Sequence, residues 1–262
     1  MTLFKRKSPM EREWDQLIKR EEKLTRKRME KKESVLNQKL EKYVPEKLQD
    51  TLEAAFGKAF TVIFDKGTGV IEKTYNRDEL EKQYQLNEYA QELFQNRKSL
   101  KAFSKKAEGA GRKGLFVSGV SGVSLGLLGI GVPDILLFIG MVLRSLYEIA
   151  LNYGYDYESK TERYFILLLI QAAVSCGEEG KQLDQQVDEY IVAGQLPENY
   201  LQKKQIKLTA QALSKELLYM KFLQGIPIAG IIGGAYDAVY MKRITEYAAV
   251  KYKKRFLMAK GA

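Results

Sequence analysis

One nearly uncharged, glycine-rich stretch constrains this chain more than any other feature. Gly114–Leu143 reads GLFVSGVSGVSLGLLGIGVPDILLFIGMVL and carries a single charge, Asp134, between flanks crowded with charge. On a helix, Gly119, Gly122, Gly126 and Gly129 step by three, four and three, so they fall on one face. A glycine inside a helix costs about 1 kcal/mol relative to alanine. Four on one stripe imply that another backbone packs closely there. A shorter stretch, Phe222–Tyr236 (FLQGIPIAGIIGGAY), has the same character, with Gly230 and Gly233 on one face. The expectation is a glycine-rich helical hairpin packed against this second segment.

Pro133 and Asp134 suit the first turn of a helix, where proline is tolerated and a carboxylate meets the positive end. Leu115–Pro133 is long enough to cross a bilayer, which takes about 20 residues. Its ten Leu, Ile, Val and Phe residues are worth roughly −3 to −6 kcal/mol on an insertion scale. Five glycines, three serines and a proline oppose that. Spanning the bilayer, dipping into one leaflet and lying buried in protein all remain open.

The missing histidine narrows the chemistry. With His 0 and only Cys176 for thiol chemistry, Ser-His-Asp and Cys-His catalysis, HExxH zinc sites, Cys-based zinc sites and disulfide frameworks are excluded. Cys176 lies in an apolar run and reads as a buried, inert thiol. Carboxylate or lysine chemistry remains formally open. No GxxxxGK[ST] occurs, so nucleotide binding is not expected, and no cofactor is called for. Net charge is +10, but cations and acids are interleaved, as on solvated helix faces. No nucleic-acid partner is expected. The first residues, MTLFKRKSPM, lack an apolar run after their basic residues, so no signal peptide is expected. A cytoplasmic location follows, peripheral to or partly inserted in the cell membrane.

The pattern is helical throughout, without period-two alternation or Asn-Gly turns, so the class is all-α. Residues 1–44 form one unit, a charged N-terminal helical arm. Its apolar points are sparse (Trp14, Ile18, Leu24, Met29, Leu36 and Leu40), which predicts an exposed helix or a basic arm for a membrane or partner. Residues 45–262 form a helical domain. Pro45 opens a helix to about Lys66, and Asn76 with Glu79 starts another to about Asn96. Ser99 caps the next. A helix follows from Pro133 to Tyr153, and an apolar one, capped by Ser159, runs from Thr161 to Cys176. Lys181–Val192 is a short helix. Pro197 and Pro227 open the last two.

Asp134 and Glu148 share a face beside the glycine entrance. They lie about 21 Å apart along one helix, at 1.5 Å per residue, and so cannot work as a paired carboxylate site. The structural readings are a first-turn dipole partner for Asp134 and an ion pair with Arg144 for Glu148. Asp237, on the face of Gly230 and Gly233, is placed to meet Arg144 across the core. Lys251, Lys253, Lys254 and Arg255 cluster with Tyr252, Phe256 and Leu257. Such a helix end can lie on an anionic membrane or simply complement the helix dipole.

Three motifs resemble the EcsC family: the glycine-spaced run into GIGVPD (129–134) followed by LRSLYEIALNYGYD (143–156), then TERYF (161–165), then GIPIAGIIGGAYD (225–237) before a basic helix. That family is named for a bacterial gene beside those of an ABC transporter's ATPase and membrane subunits. The resemblance implies a transporter link by context and supplies no catalytic residue. The expected function is a non-enzymatic, membrane-associated accessory protein, linked to ABC transporter subunits and acting through the glycine-rich hairpin. The alternatives are a carboxylate-dependent hydrolase near Asp134 and Glu148, and a hairpin that inserts into membranes.

Overall fold

The computed structural model describes residues 7–29, 46–66, 71–113, 133–223 and 235–262. The described residues are helical and contain no strand, as the periodicity predicts. In chain order the helices are α1 (Pro9–Met29), α2 (Glu46–Lys66), α3 (Arg77–Phe94), α4 (Arg97–Lys113), α5 (Pro133–Asn152), α6 (Lys160–Val174), α7 (Gly177–Ala193), α8 (Gln202–Leu223) and α9 (Ala235–Ala259).

Local chemistry sets their limits. Asn76 accepts the Glu79 amide at 3.0 Å and Ser159 accepts that of Glu162 at 3.1 Å, each satisfying an amide with no partner inside its helix. Before α4 the cap is Asn96, which accepts from the Ser99 amide, so Ser99 lies inside the helix instead of capping it. The α5–α6 turn needs Gly154 at φ +80, with the Tyr84 ring lying against it. Two starts differ from expectation. α7 begins at Gly177, four residues earlier. α8 begins at Gln202, because Pro197 closes a turn through the Tyr200 amide at 3.0 Å.

The core forms around α5, α6 and α9. From Tyr164 to Val174, every α6 side chain is buried, and a fully buried Leu or Ile side chain is worth about 1.5–3 kcal/mol. α9 touches α1, α4, α5, α6 and α7. An aromatic chain ties the ends of α5 and α9 together: Tyr153 stacks with Tyr252 at 6.5 Å and lies 5.5 Å from Phe256.

α1 departs from the exposed arm expected. It packs on α4, α7 and α9, and it buries Leu17, Glu13 and Glu21. Its sparse apolar points understate this, because the contact is made largely by carboxylates that meet cations of α9.

Candidate functional site

Side-chain contacts fix the helix directions. Arg255 bonds to Glu162 at 2.7 Å, while Arg243 reaches Cys176 at 2.9 Å, so α6 and α9 are antiparallel. Arg243 also bonds to Glu216 at 2.7 Å, and Tyr240 donates to the Glu216 carbonyl at 3.1 Å. The end of α8 therefore meets the start of α9. Tyr153 sits level with Tyr252 and Phe256. About 30 Å back along each helix, at 1.5 Å per residue, stand Pro133 and Ala235. α4 packs on the same stretch of α9: Phe103 lies against Phe256 at 4.5 Å, and Lys105 shares a cleft with Ala249.

The consequence is a shared end. The chain enters α5 from the end of the bundle at which it leaves α8 and enters α9. Residues 114–132, which precede α5, and 224–234, which join α8 to α9, contain no charged residue. At the start of α5 and α9, Leu137 (42%) and Val239 (55%) are exposed large apolar side chains. A Cβ built on Gly140 would meet nothing within 4 Å.

The predicted site residues separate into four groups. Gly119, Gly122, Gly126, Gly129, Gly230 and Gly233 lie outside the described residues, and so does the glycine-rich hairpin itself. Asp134 is the second residue of α5 and Asp237 the third of α9; their side chains are likewise outside the description. Arg144 and Glu148 form the intrahelical pair expected, with Nε 2.9 Å from Oε1 and both side chains 14% exposed. Near the other end of α5 a buried tyrosine pair, Tyr147 and Tyr157, stacks at 4.1 Å. Burial, and donation to Glu72, push the Tyr157 hydroxyl well above its ordinary value.

The basic cluster requires a correction. Lys251, Lys253, Lys254 and Arg255 do not form a free membrane-facing surface. Lys251 is 0% exposed and pairs with Glu21, Asp184 and Asp188 at 2.5, 3.1 and 2.7 Å. Burial alone would lower its pKa, but the three carboxylates outweigh it and leave the value raised. Lys254 shares Glu21 and Asp188. Lys253 bonds to Glu13 at 2.8 Å and Arg255 to Glu162 at 2.7 Å. These cations point inward because acids from α1, α6 and α7 neutralise them there. Sequence reading missed those partners, which stand up to 240 positions away.

Cys176 is half-buried, not fully buried, with the Arg243 guanidinium beside it. Among the described residues no group of three or more His, Cys, Asp or Glu side chains is placed to hold a metal ion. One stretch among them, Ile135–Asn152 of α5, is long and apolar enough to cross a membrane. Because 72% of it is buried inside the protein, its apolar character is already used in the core.

The EcsC protein family profile matches residues 11–257, and the chain belongs to that family. The match includes α1, which the sequence motifs did not reach. The chain is also 29% identical over 162 residues to the "Uncharacterized protein YdbA" of Bacillus subtilis (strain 168), covering 58% of this chain. It spans about 57% of that relative's length. No solved structure matches.

Proposed function

We propose that this EcsC-family chain is a non-enzymatic accessory protein that meets the cytoplasmic face of a membrane with one end of its bundle. The contact is made by residues 114–132 and 224–234, and the α1–α7–α9 side stays in water. One observation carries the reading: α5, which follows the first uncharged segment, begins at the end of the bundle where α8 ends and α9 begins, the two helices that flank the second. Two segments that no charge keeps in water, 19 and 11 residues long by their bounds, thus each join a helix at that end. Arg112 and Lys113 precede the first and Lys221 lies just before the second, as suits an anionic headgroup layer. Exposed Leu137 and Val239 extend the apolar character onto the described helices. An accessory role beside ABC transporter subunits belongs to the proposal and rests on the family's gene context.

Flotation of the full chain with vesicles of phosphatidylglycerol and phosphatidylcholine tests this. The chain is expected to float, and Leu127→Lys combined with Ile231→Lys to abolish it while the helical circular dichroism stays unchanged. Flotation that ignores both substitutions refutes the reading. Carbonate extraction then separates insertion from surface contact, since only an inserted segment stays in the pellet.

A further inference from the structure

The sequence also carries an outward apolar stripe that the core does not use. On α3, Leu86, Tyr89, Leu93 and Phe94 are 63, 62, 59 and 65% exposed. The spacing of Leu86, Tyr89 and Leu93 puts them on one helical face, away from Tyr84 and the buried Asn87, while Phe94 sits on the adjoining face, two turns after Asn87. Beside this stripe lies a cleft of about 1110 Å³ between α1, α3, α4 and α9, with Phe94 on its wall. A helix of about ten residues, roughly 15 Å long and 10 Å across, displaces a similar volume.

The cleft is strongly cationic. Among the described residues, Arg20, Arg97, Lys98, Lys101, Lys105 and Lys253 line it, and Glu13 is the one carboxylate on its wall. Glu13 is itself consumed by Arg97 and Lys253 at 2.6 and 2.8 Å. Lys98, Lys101 and Lys105 are exposed, share one face of α4 and have no acid within ion-pair distance among the described residues. We propose that this cleft and the α3 stripe together form a docking groove for an acidic amphipathic helix of a partner protein. The helix would lay its apolar face on Leu93 and Phe94 and turn its carboxylates to the α4 lysines.

Charge complementarity selects this occupant. A second copy of a chain with net charge +10 is repelled. The chain's own residues 30–45 carry four lysines against three glutamates and bring no acid surplus. A nucleic acid would use the lysines, but protein–DNA interfaces are polar and leave the aliphatic Leu86 and Leu93 without purpose. The groove flanks the C-terminal half of α9, away from the end proposed to meet the membrane, so one bilayer does not reach both.

The test uses the full chain and a fluorescein-labelled designed helix of about four turns, with leucines at i, i+3 and i+7 and glutamates elsewhere. A second peptide has every glutamate replaced by lysine. Anisotropy is expected to give a Kd below about 100 μM for the acidic peptide and no binding for the basic one. Lys98→Glu with Lys101→Glu is expected to weaken binding at least about tenfold, and Leu93→Ser with Phe94→Ser by a similar factor. No acidic-peptide binding overturns the proposal. So does a loss under charge reversal that the serine pair does not reproduce, or displacement of the peptide by poly(dT) with the higher affinity. Anionic vesicles that compete through the α4 lysines overturn it in favour of a membrane. The Leu127→Lys, Ile231→Lys variant should keep full peptide affinity, so failure here and failure of the membrane reading are told apart.

Discussion

The Lys251 ammonium lies 2.7 Å from the Asp188 carboxylate on a neighbouring helix and is fully shielded from solvent. Around it Glu21 of α1 and Asp184 of α7 complete a ring of three acids. Tyr247 holds Asp184 in place with a 2.7 Å hydrogen bond. A charge of this kind folds only if its partners arrive with it, so Lys251 joins α1 and α7 to the central helix.

Removing that one charge should be costly. Lys251→Met is expected to lose about 3 kcal/mol, the low end for breaking a buried ion pair, because Lys254 still neutralises Glu21 and Asp188. The exposed Lys242–Glu246 pair, 4.0 Å apart, is the control: Lys242→Met should change stability by less than about 0.5 kcal/mol. Urea unfolding of the two variants measures the contrast. Equal effects would mean that burial at Lys251 does not set its importance.

Acid should loosen α1 through Glu13. Burial works against this carboxylate, but hydrogen bonds from Arg97 and Lys253 outweigh it and hold the pKa below the ordinary 4.5. A depressed folded pKa contributes stability that is present above 4.5 and is lost as pH falls through the folded value. The wild-type urea midpoint should therefore drop below pH 4.5 more steeply than that of Glu13→Gln. Parallel curves for the two proteins would remove Glu13 from the acid response.

The stacked tyrosines should respond oppositely to the same change. Tyr157 donates to Glu72 at 2.5 Å, whereas the buried Tyr147 hydroxyl has no hydrogen-bond partner among the described residues. Tyr157→Phe is expected to cost about 2 kcal/mol, as for a bond to a charged group. Tyr147→Phe should be neutral or stabilising by up to about 1 kcal/mol, since it removes a polar atom buried without a partner. A destabilised Tyr147→Phe would show that its hydroxyl is satisfied in solution.

Gly154 should tolerate no side chain. Its φ of +80 lies in the left-handed region, and a Cβ there would overlap the Tyr84 ring. Gly154→Ala combines about 1–2 kcal/mol of backbone strain with about 1–3 kcal/mol of overpacking, so a loss near 3 kcal/mol is expected. In a Tyr84→Ala background the overpacking part should vanish and only the backbone part remain. A loss that persists in full places the whole cost in the backbone. Thermal melts of the four proteins in the cycle measure this.

The sequence by itself determined the helical class, most helix limits and the pair closed within one turn. Helical periodicity, the Asn76 and Ser159 caps and the Arg144–Glu148 spacing are local, and local physics reads them without knowing the fold. Tertiary structure alone decided what the long-range charges and the second apolar faces meet. Lys251–Arg255 read as a surface cluster because the acids that neutralise them come from Glu13, Glu21, Glu162, Asp184 and Asp188 on three other helices. Likewise the spacing of Leu86, Tyr89 and Leu93 marks an apolar face, but only the packing of Tyr84 and Asn87 inward shows that this face points out. A helix has two sides, and periodicity names the sides without saying which one the rest of the chain will cover.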